Sequence, residues 1–352
     1  FRITGFTFDI NNKSEGIMLA HHKDPSLRPQ TKIRIDHNKF INAMASDLSH
    51  QAIINNGMRG VVDNNIFEDC IYPIRNQWCY GDGRLWWDNW EEWGLLVYGA
   101  ADNNMYYEDN VFSNCKIVMD SQYANRYVFR YNTVYHKAES YVSTLDLHGN
   151  QGGQMYSSFG GEVYGNLIFL SYGNGAGVRV LDHRGGKFLC FMNTVVQSSG
   201  SFYAYINVRD EYPDSDNPTV NPSPQFPNDS YYFLNRNNYT GGYWAVEEYQ
   251  HSDNPPYYEC PLMDRDYFVG TDSFNGTTGV GYGPLSARPT PQKAGVGYWA
   301  TDQKIADLKN MVGNNPATPI SGTLYKCTAP GVWTAYFTPY TYPHPLRNLL
   351  ND

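Results

Sequence analysis

An asparagine set in one apolar frame recurs seven times along this chain, at Asn38, Asn65, Asn110, Asn132, Asn166, Asn193 and Asn237. Three positions earlier stand Ile35, Val62, Tyr107, Phe129, Val163, Cys190 and Leu234, and two later stand Phe40, Phe67, Phe112, Val134, Ile168, Val195 and Tyr239. Alternating apolar positions on both sides mean that one strand runs into the asparagine and a second leaves it, each with one face turned inward. The spacings are 27, 45, 22, 34, 27 and 44 residues. Those in the twenties fit one coil of a solenoid, 34 fits one coil with a long loop, and 45 and 44 fit two coils with one marker missing. Asparagine suits such a corner because it tolerates left-handed backbone angles, and because its amide can bond to the coils above and below. The chain is therefore expected to be all-β, a stack of coils with an asparagine ladder beside an apolar ladder.

This layout resembles the right-handed parallel β-helix of the pectate-lyase-like superfamily, in which an asparagine ladder occupies the short turn between the second and third strands of each coil. The resemblance covers about residues 1–240 and lies in the fold rather than in a catalytic signature. It implies that substrate lies along the first strand of each coil and the loops beside it. By that correspondence the first strands are residues 16–22, 51–56, 94–100, 116–122, 144–150, 177–184 and 204–209.

The solenoid, with its inserted loops, is expected over residues 1–270 and a C-terminal appendage with an extended tail over 271–352. One insertion, 70–94, holds five of the eight tryptophans, and another, 209–230, is rich in proline and belongs outside any sheet. Past the repeats, residues 302–312 carry Ile305, Leu308, Met311 and Val312 at helical spacing, with Gly313 as a stop. Residues 323–328 and 332–337 read as a β-hairpin around Pro330-Gly331. The run Gly297-Tyr298-Trp299-Ala300-Thr301-Asp302, with Gly322 to Cys327 and Trp333, resembles short β modules of phage tail and environmental surface proteins, although here a helical stretch separates its halves. That resemblance implies an extracellular or virion setting.

Composition narrows the partners. A net charge of −9 without any basic block argues against nucleic acid, and it disfavours a polyanionic substrate unless calcium or a local basic patch intervenes. No run of eighteen apolar residues is present, so no helical membrane span is expected. The chain enters a strand at once from Phe1 without a leader, which reads as a mature product or a fragment whose open first coil invites another chain to dock. Cys70, Cys115 and Cys190 fall at equivalent or inward repeat positions and read as buried small hydrophobes, with a short-loop Cys70–Cys79 disulfide as a second reading.

Candidate chemistry collects on the first-strand face. With Leu145 and Leu147 inward, Asp146 and His148 point outward; the coil before supplies Asp120, and the coil after supplies Arg179, then Asp182, His183 and Arg184. On this reading Asp146 stands beside Arg179 and Asp120 beside His148. Asp120 and Asp146 would lie about 8 Å apart on a diagonal, room enough for the water of an inverting glycosidase. Alternatively Arg179 or Arg184 neutralises a uronate while His148 or His183 removes the C5 proton. Substrate contacts are expected from Asn207 and Arg209, and from a stacking platform of Trp86, Trp87, Trp90 and Trp93, which could equally fold back on the body or join subunits. Lyases of the resembled superfamily often use calcium held by aspartates and an arginine base, so calcium is the cofactor the resemblance allows. The leading expectation is a secreted or virion-surface protein that engages polysaccharide and cleaves it as lyase or hydrolase. The alternative is a non-catalytic adhesive or fibre protein that self-associates through open coil ends or aromatic loops, its outward Asp and Arg being ordinary solvated sheet surface.

Overall fold

Strands of two to seven residues leave a chain like this no way to pair its backbone except against the next coil. The computed structural model describes residues 1–11, 16–20, 32–44, 51–77, 104–122, 125–138, 141–149, 157–158, 160–170, 177–197, 205–209, 226–248, 261–300 and 319–349. Three parallel sheets of nine, eight and eight strands wind around one core. Each coil gives one strand to each: the coil that begins at Ile33–Asp36 in the first sheet continues to Lys39–Ala43 in the second and Ile53–Asn56 in the third. The protein is a parallel β-helix.

The asparagine ladder stands between the first and second sheets. The Oδ1 of Asn65 accepts from the backbone N–H (3.0 Å) and the Nδ2 (3.1 Å) of Asn38, and the same pair of bonds links Asn65 to Asn110, Asn110 to Asn132, Asn132 to Asn166 and Asn166 to Asn193. Each Nδ2 also donates to a carbonyl of the coil before, as from Asn132 to Tyr107 at 2.9 Å. Beside this ladder Phe8, Phe40, Phe67 and Phe112 stack nearly parallel at 4.7 to 4.9 Å, and Val134, Ile168 and Val195 continue the same register.

Three sequence expectations are corrected here. The interval of 45 residues is a single coil carrying an insertion, because Asn65 bonds directly to Asn110. The last rung is Asn235 rather than Asn237: Asn193 donates to Asn235 Oδ1 from its N–H at 3.2 Å and from Nδ2 at 2.8 Å, again one coil. Asn237 takes instead the place of the apolar residue two positions on, opposite Val195. Nor do the ladder asparagines adopt left-handed angles themselves. The residue before each does, with φ of +54° at His37 and Asn64, +58° at Asp109, Tyr131 and Leu234, +69° at Gly165 and +52° at Met192. For Tyr131, Met192 and Leu234 that conformation costs about 1–2 kcal/mol, tolerated because the sheet pairing on both sides and the asparagine bonds fix the corner.

Beyond the last ladder strand, Tyr267–Val269, the strands Val280–Gly283, Gly297–Ala300, Thr323–Ala329 and Val332–Phe337 form a separate sheet whose last two strands are an antiparallel hairpin. The helix expected at 302–312 lies outside the described residues. This sheet covers the outer face of the first solenoid sheet, with Trp299 fully buried against Phe191 (5.0 Å) and Phe233 (5.5 Å). The tail continues the cover: Arg130 holds Glu108 at 2.6 Å and donates to the carbonyls of Tyr340 and Thr341, while Arg347 reaches Asp63 and Glu108. Except at its first strand, Arg2–Thr4, the first sheet is thus buried on both faces.

Removing one rung tests the ladder. Asn132→Ala strips partners from the N–H of Asn110 and the carbonyl of Tyr107, both buried, and should lower unfolding free energy by about 2–4 kcal/mol in a denaturant titration. Asn237→Ala, off the ladder, should cost less.

Candidate functional site on the third sheet

Registration by the ladder lines up side chains on the third sheet in rows. Its described strands include Ile53–Asn56, Ile74–Gln77, Ile117–Gln122, Tyr141–Leu147, Gly177–His183, Tyr205–Val208 and Ala245–Glu248. The first strand expected at 94–100 lies outside the described residues; in that coil the place is taken by Ile74–Gln77, a segment expected as part of a loop. An inward row runs Ile53, Ile74, Met119, Leu145, Leu181, Ile206. The neighbouring outward row runs Ile54, Arg75, Asp120, Asp146, Asp182, Asn207, Glu247. Two positions further along lie His148, Arg184 and Arg209, linked coil to coil by the bonds from Arg184 N–H to Leu147 O and from Arg209 N–H to His183 O. A file of aspartates therefore stands beside a file of cations.

The cross-coil contacts are close. His148 Nε2 is 2.9 Å from Asp120 Oδ1 and 3.6 Å from Asp146 Oδ2. Arg184 bonds Asp146, and Arg75 Nε stands 3.6 Å from Asp120. Asp182 is bound by Arg179 at 3.0 Å, Asn207 at 2.6 Å and Arg209 at 3.4 Å. So Asp120 does neighbour His148, but Asp146 pairs with Arg184 and not with Arg179. Leu181, not Val178, stands opposite Leu145, and this register puts Arg179 opposite Ser143 and Asp182 opposite Asp146. The predicted 8 Å diagonal fails because Asp120 and Asp146 are directly in register, and oxygen atoms of both, with a nitrogen of His148, lie within 4.8 Å of one another.

His183 leaves the site altogether. Val180 and Leu181 both face the core, so the alternation shifts and His183 is inward too; it is fully buried, with Nε2 3.1 Å from the carbonyls of Gly185 and Gly186 and Nδ1 against the Tyr232 hydroxyl. Two carbonyls require a proton on Nε2, so Nδ1 accepts from Tyr232. Trp86, Trp87, Trp90 and Trp93 lie outside the described residues. Sequence reading missed Arg75, whose strand it took for a loop, and Tyr72, a half-buried phenol raised first by burial and then by the charges of Asp120 and Asp146.

Electrostatics separates the two central carboxyls. Burial works against ionisation of both, but His148, Arg75 and Arg184 overcome it at Asp120, whose pKa is lowered. At Asp146 burial prevails, aided by Asp182 and Asp120 and opposed by Arg184 and His148, and its pKa is raised. Burial disfavours the His148 cation, yet Asp120 foremost, with Asp146, raises its pKa. Neighbouring carboxyls pushed in opposite directions, with an imidazole touching both, are an arrangement able to pass a proton. The carboxylates lie beneath: Asp120 and Asp182 side chains are 1% exposed, against 21% for Arg75, 24% for Arg179 and 13% for Arg209. What a ligand meets is a cationic rim.

Calcium does not fit this centre. It takes six to eight oxygen ligands, whereas here two aspartates and an imidazole share their space with Arg75 and Arg184. Comparison with protein-family models, curated proteins and solved structures gave no match.

The histidines should titrate apart. By imidazole NMR, His148 should show a midpoint above 6.5, while His183 and His136, buried and neutral, should stay unprotonated down to about pH 4. The unfolded chain protonates all three near 6.5, so the stability held by neutral His183 and His136 is lost as pH falls from there toward about 4. The His148 contribution has the opposite sign: it is complete below 6.5 and lost as pH rises through its folded value.

Proposed function

We propose that the outward face of the third sheet engages an anionic polysaccharide and cleaves it by β-elimination, in a secreted or virion-borne protein. The observation that carries this reading is the pair Asp120 and Asp146, side by side on adjacent coils with protonation driven in opposite directions and His148 between them. The arginine rim supplies the local basic patch that the net charge of −9 would otherwise deny a polyanion. In the proposed reaction Arg75, Arg179 and Arg209 offset a uronate carboxylate and make its C5–H acidic. His148, oriented by Asp120, takes that proton on the ring nitrogen facing away from the aspartate. The C4–O bond breaks, a C4=C5 double bond forms, and the departing oxygen receives a proton from Asp146, the carboxyl that holds one most readily. Elimination is preferred to inverting hydrolysis because the carboxyls are too close to admit a water between them, which takes about 6.5–9.5 Å.

The other class, an adhesive or fibre protein that binds without cleaving, is favoured by one fact: each aspartate of the row already has a cationic partner, which suffices to stabilise a sheet surface.

Incubation with acidic and neutral polysaccharides decides between them. Wild type should release, from an acidic polymer, fragments with both reducing ends and ultraviolet-absorbing unsaturated ends. His148→Ala should lower that rate by about 10²–10⁴-fold while leaving the circular dichroism spectrum unchanged. Reducing ends without unsaturation would mean hydrolysis; binding without any product would establish the adhesive reading.

A further inference from the structure

Among the thiols the described residues contain, two face each other across adjacent coils. In the second sheet Glu68 is opposite Ser113, and each strand then bulges through a residue of positive φ, Asp69 (+56°) and Asn114 (+55°). Asn114 Nδ2 donates to Asp69 Oδ1 at 2.5 Å, so the two bulges stack, and the residues that follow, Cys70 and Cys115, occupy the same place on successive coils. The N–H of Lys116 donates to the Cys70 carbonyl at 3.4 Å, closing the ladder just past the pair. Both cysteines are fully buried in the core. The Cys115 sulfur reaches the carbonyl of Phe67 in the preceding coil, at 3.8 Å. Neighbouring coils stand about 4.8 Å apart, inside the roughly 4.4–6.8 Å window of Cα separations a disulfide spans.

We propose that Cys70 and Cys115 are joined by a disulfide between coils when the protein folds in an oxidising medium. The oxidant is a small-molecule disulfide of the glutathione type: one cysteine thiolate displaces a small thiol to give a mixed disulfide, and the second cysteine displaces the other. Two protein thiols and one small disulfide thus become one protein disulfide and two small thiols. The exchange takes place while the coils are stacking, since in the finished structure neither sulfur is exposed. Burial, followed by the neighbouring Cys70, also pushes the folded Cys115 thiol well above its usual range, which keeps a reduced pair inert once packed. The bond encloses the whole insertion 78–103 and fastens the coils carrying Arg75 and Asp120. It stands independently of the reaction proposed above.

Peptide mapping without reduction, after refolding in oxidised and reduced glutathione and alkylation of remaining thiols, tests this. The expected result is one cross-linked pair of peptides containing Cys70 and Cys115, and a thermal midpoint several degrees above that of the reduced protein. Cys115→Ala should abolish both; alanine already occupies this row at Ala43, opposite Cys70, so the replacement fits the coil. Complete alkylation of Cys70 and Cys115 in the oxidatively refolded wild type would overturn the proposal, as would linkage of Cys70 to Cys79.

Discussion

Each side-chain amide of the corner asparagines performs two tasks, and the rest of the molecule follows from their coupling. Its oxygen accepts the backbone N–H and the amide of the asparagine one coil before, and its nitrogen satisfies a carbonyl that the turn leaves unpaired. A rung can meet these demands only when the next coil is in register. Register then fixes every other row: the four stacked phenylalanines inside, and on the third sheet the aspartates outside. Insertions of any length can leave the coil elsewhere without disturbing it, as the 45-residue step from Asn65 to Asn110 shows.

Alignment of like charges is what such stacking imposes, and the protein offsets it locally. Asp120, Asp146 and Asp182 would repel one another along the sheet, so each is met by an arginine or the His148 imidazole from the adjoining row. Because burial and partners differ along the row, the carboxyls do not titrate alike, with Asp120 and Asp182 held charged and Asp146 inclined to keep its proton. A fold that repeats its backbone regularly has thereby produced a site whose members are chemically distinct. The first sheet has no such freedom, since the C-terminal sheet and the tail residues around Arg347 cover its outer face.

Much of this architecture could be read from the chain. Periodicity of two around recurrent asparagines was enough for the solenoid, the ladder and the outward placement of Asp146 and His148 beside inward Leu145 and Leu147. What escaped has identifiable causes. Counting residues between markers cannot distinguish a missing rung from an insertion, which misplaced the coil containing Arg75. At the final rung Asn237 fits the apolar frame and Asn235 does not, since Asn237 itself stands two positions on, yet the bonds to Asn193 come from Asn235. The register that sets Leu181 opposite Leu145 has no signature in the sequence, yet it makes Arg184 rather than Arg179 the partner of Asp146, and with Val180 and Leu181 both in the core it takes His183 inward. The left-handed position is equally silent, since His, Asn, Asp, Tyr, Gly, Met and Leu all occupy it.

Selective labelling of asparagine side chains gives the most direct view of the register on which all this rests. Through-space NMR contacts between side-chain amides, with slow hydrogen exchange, should run in unbroken order from Asn38 through Asn65, Asn110, Asn132, Asn166 and Asn193 to Asn235. A missing contact between Asn65 and Asn110, or Asn237 in place of Asn235 as the neighbour of Asn193, would contradict the alignment of the coils and with it the shared centre of Asp120, Asp146 and His148.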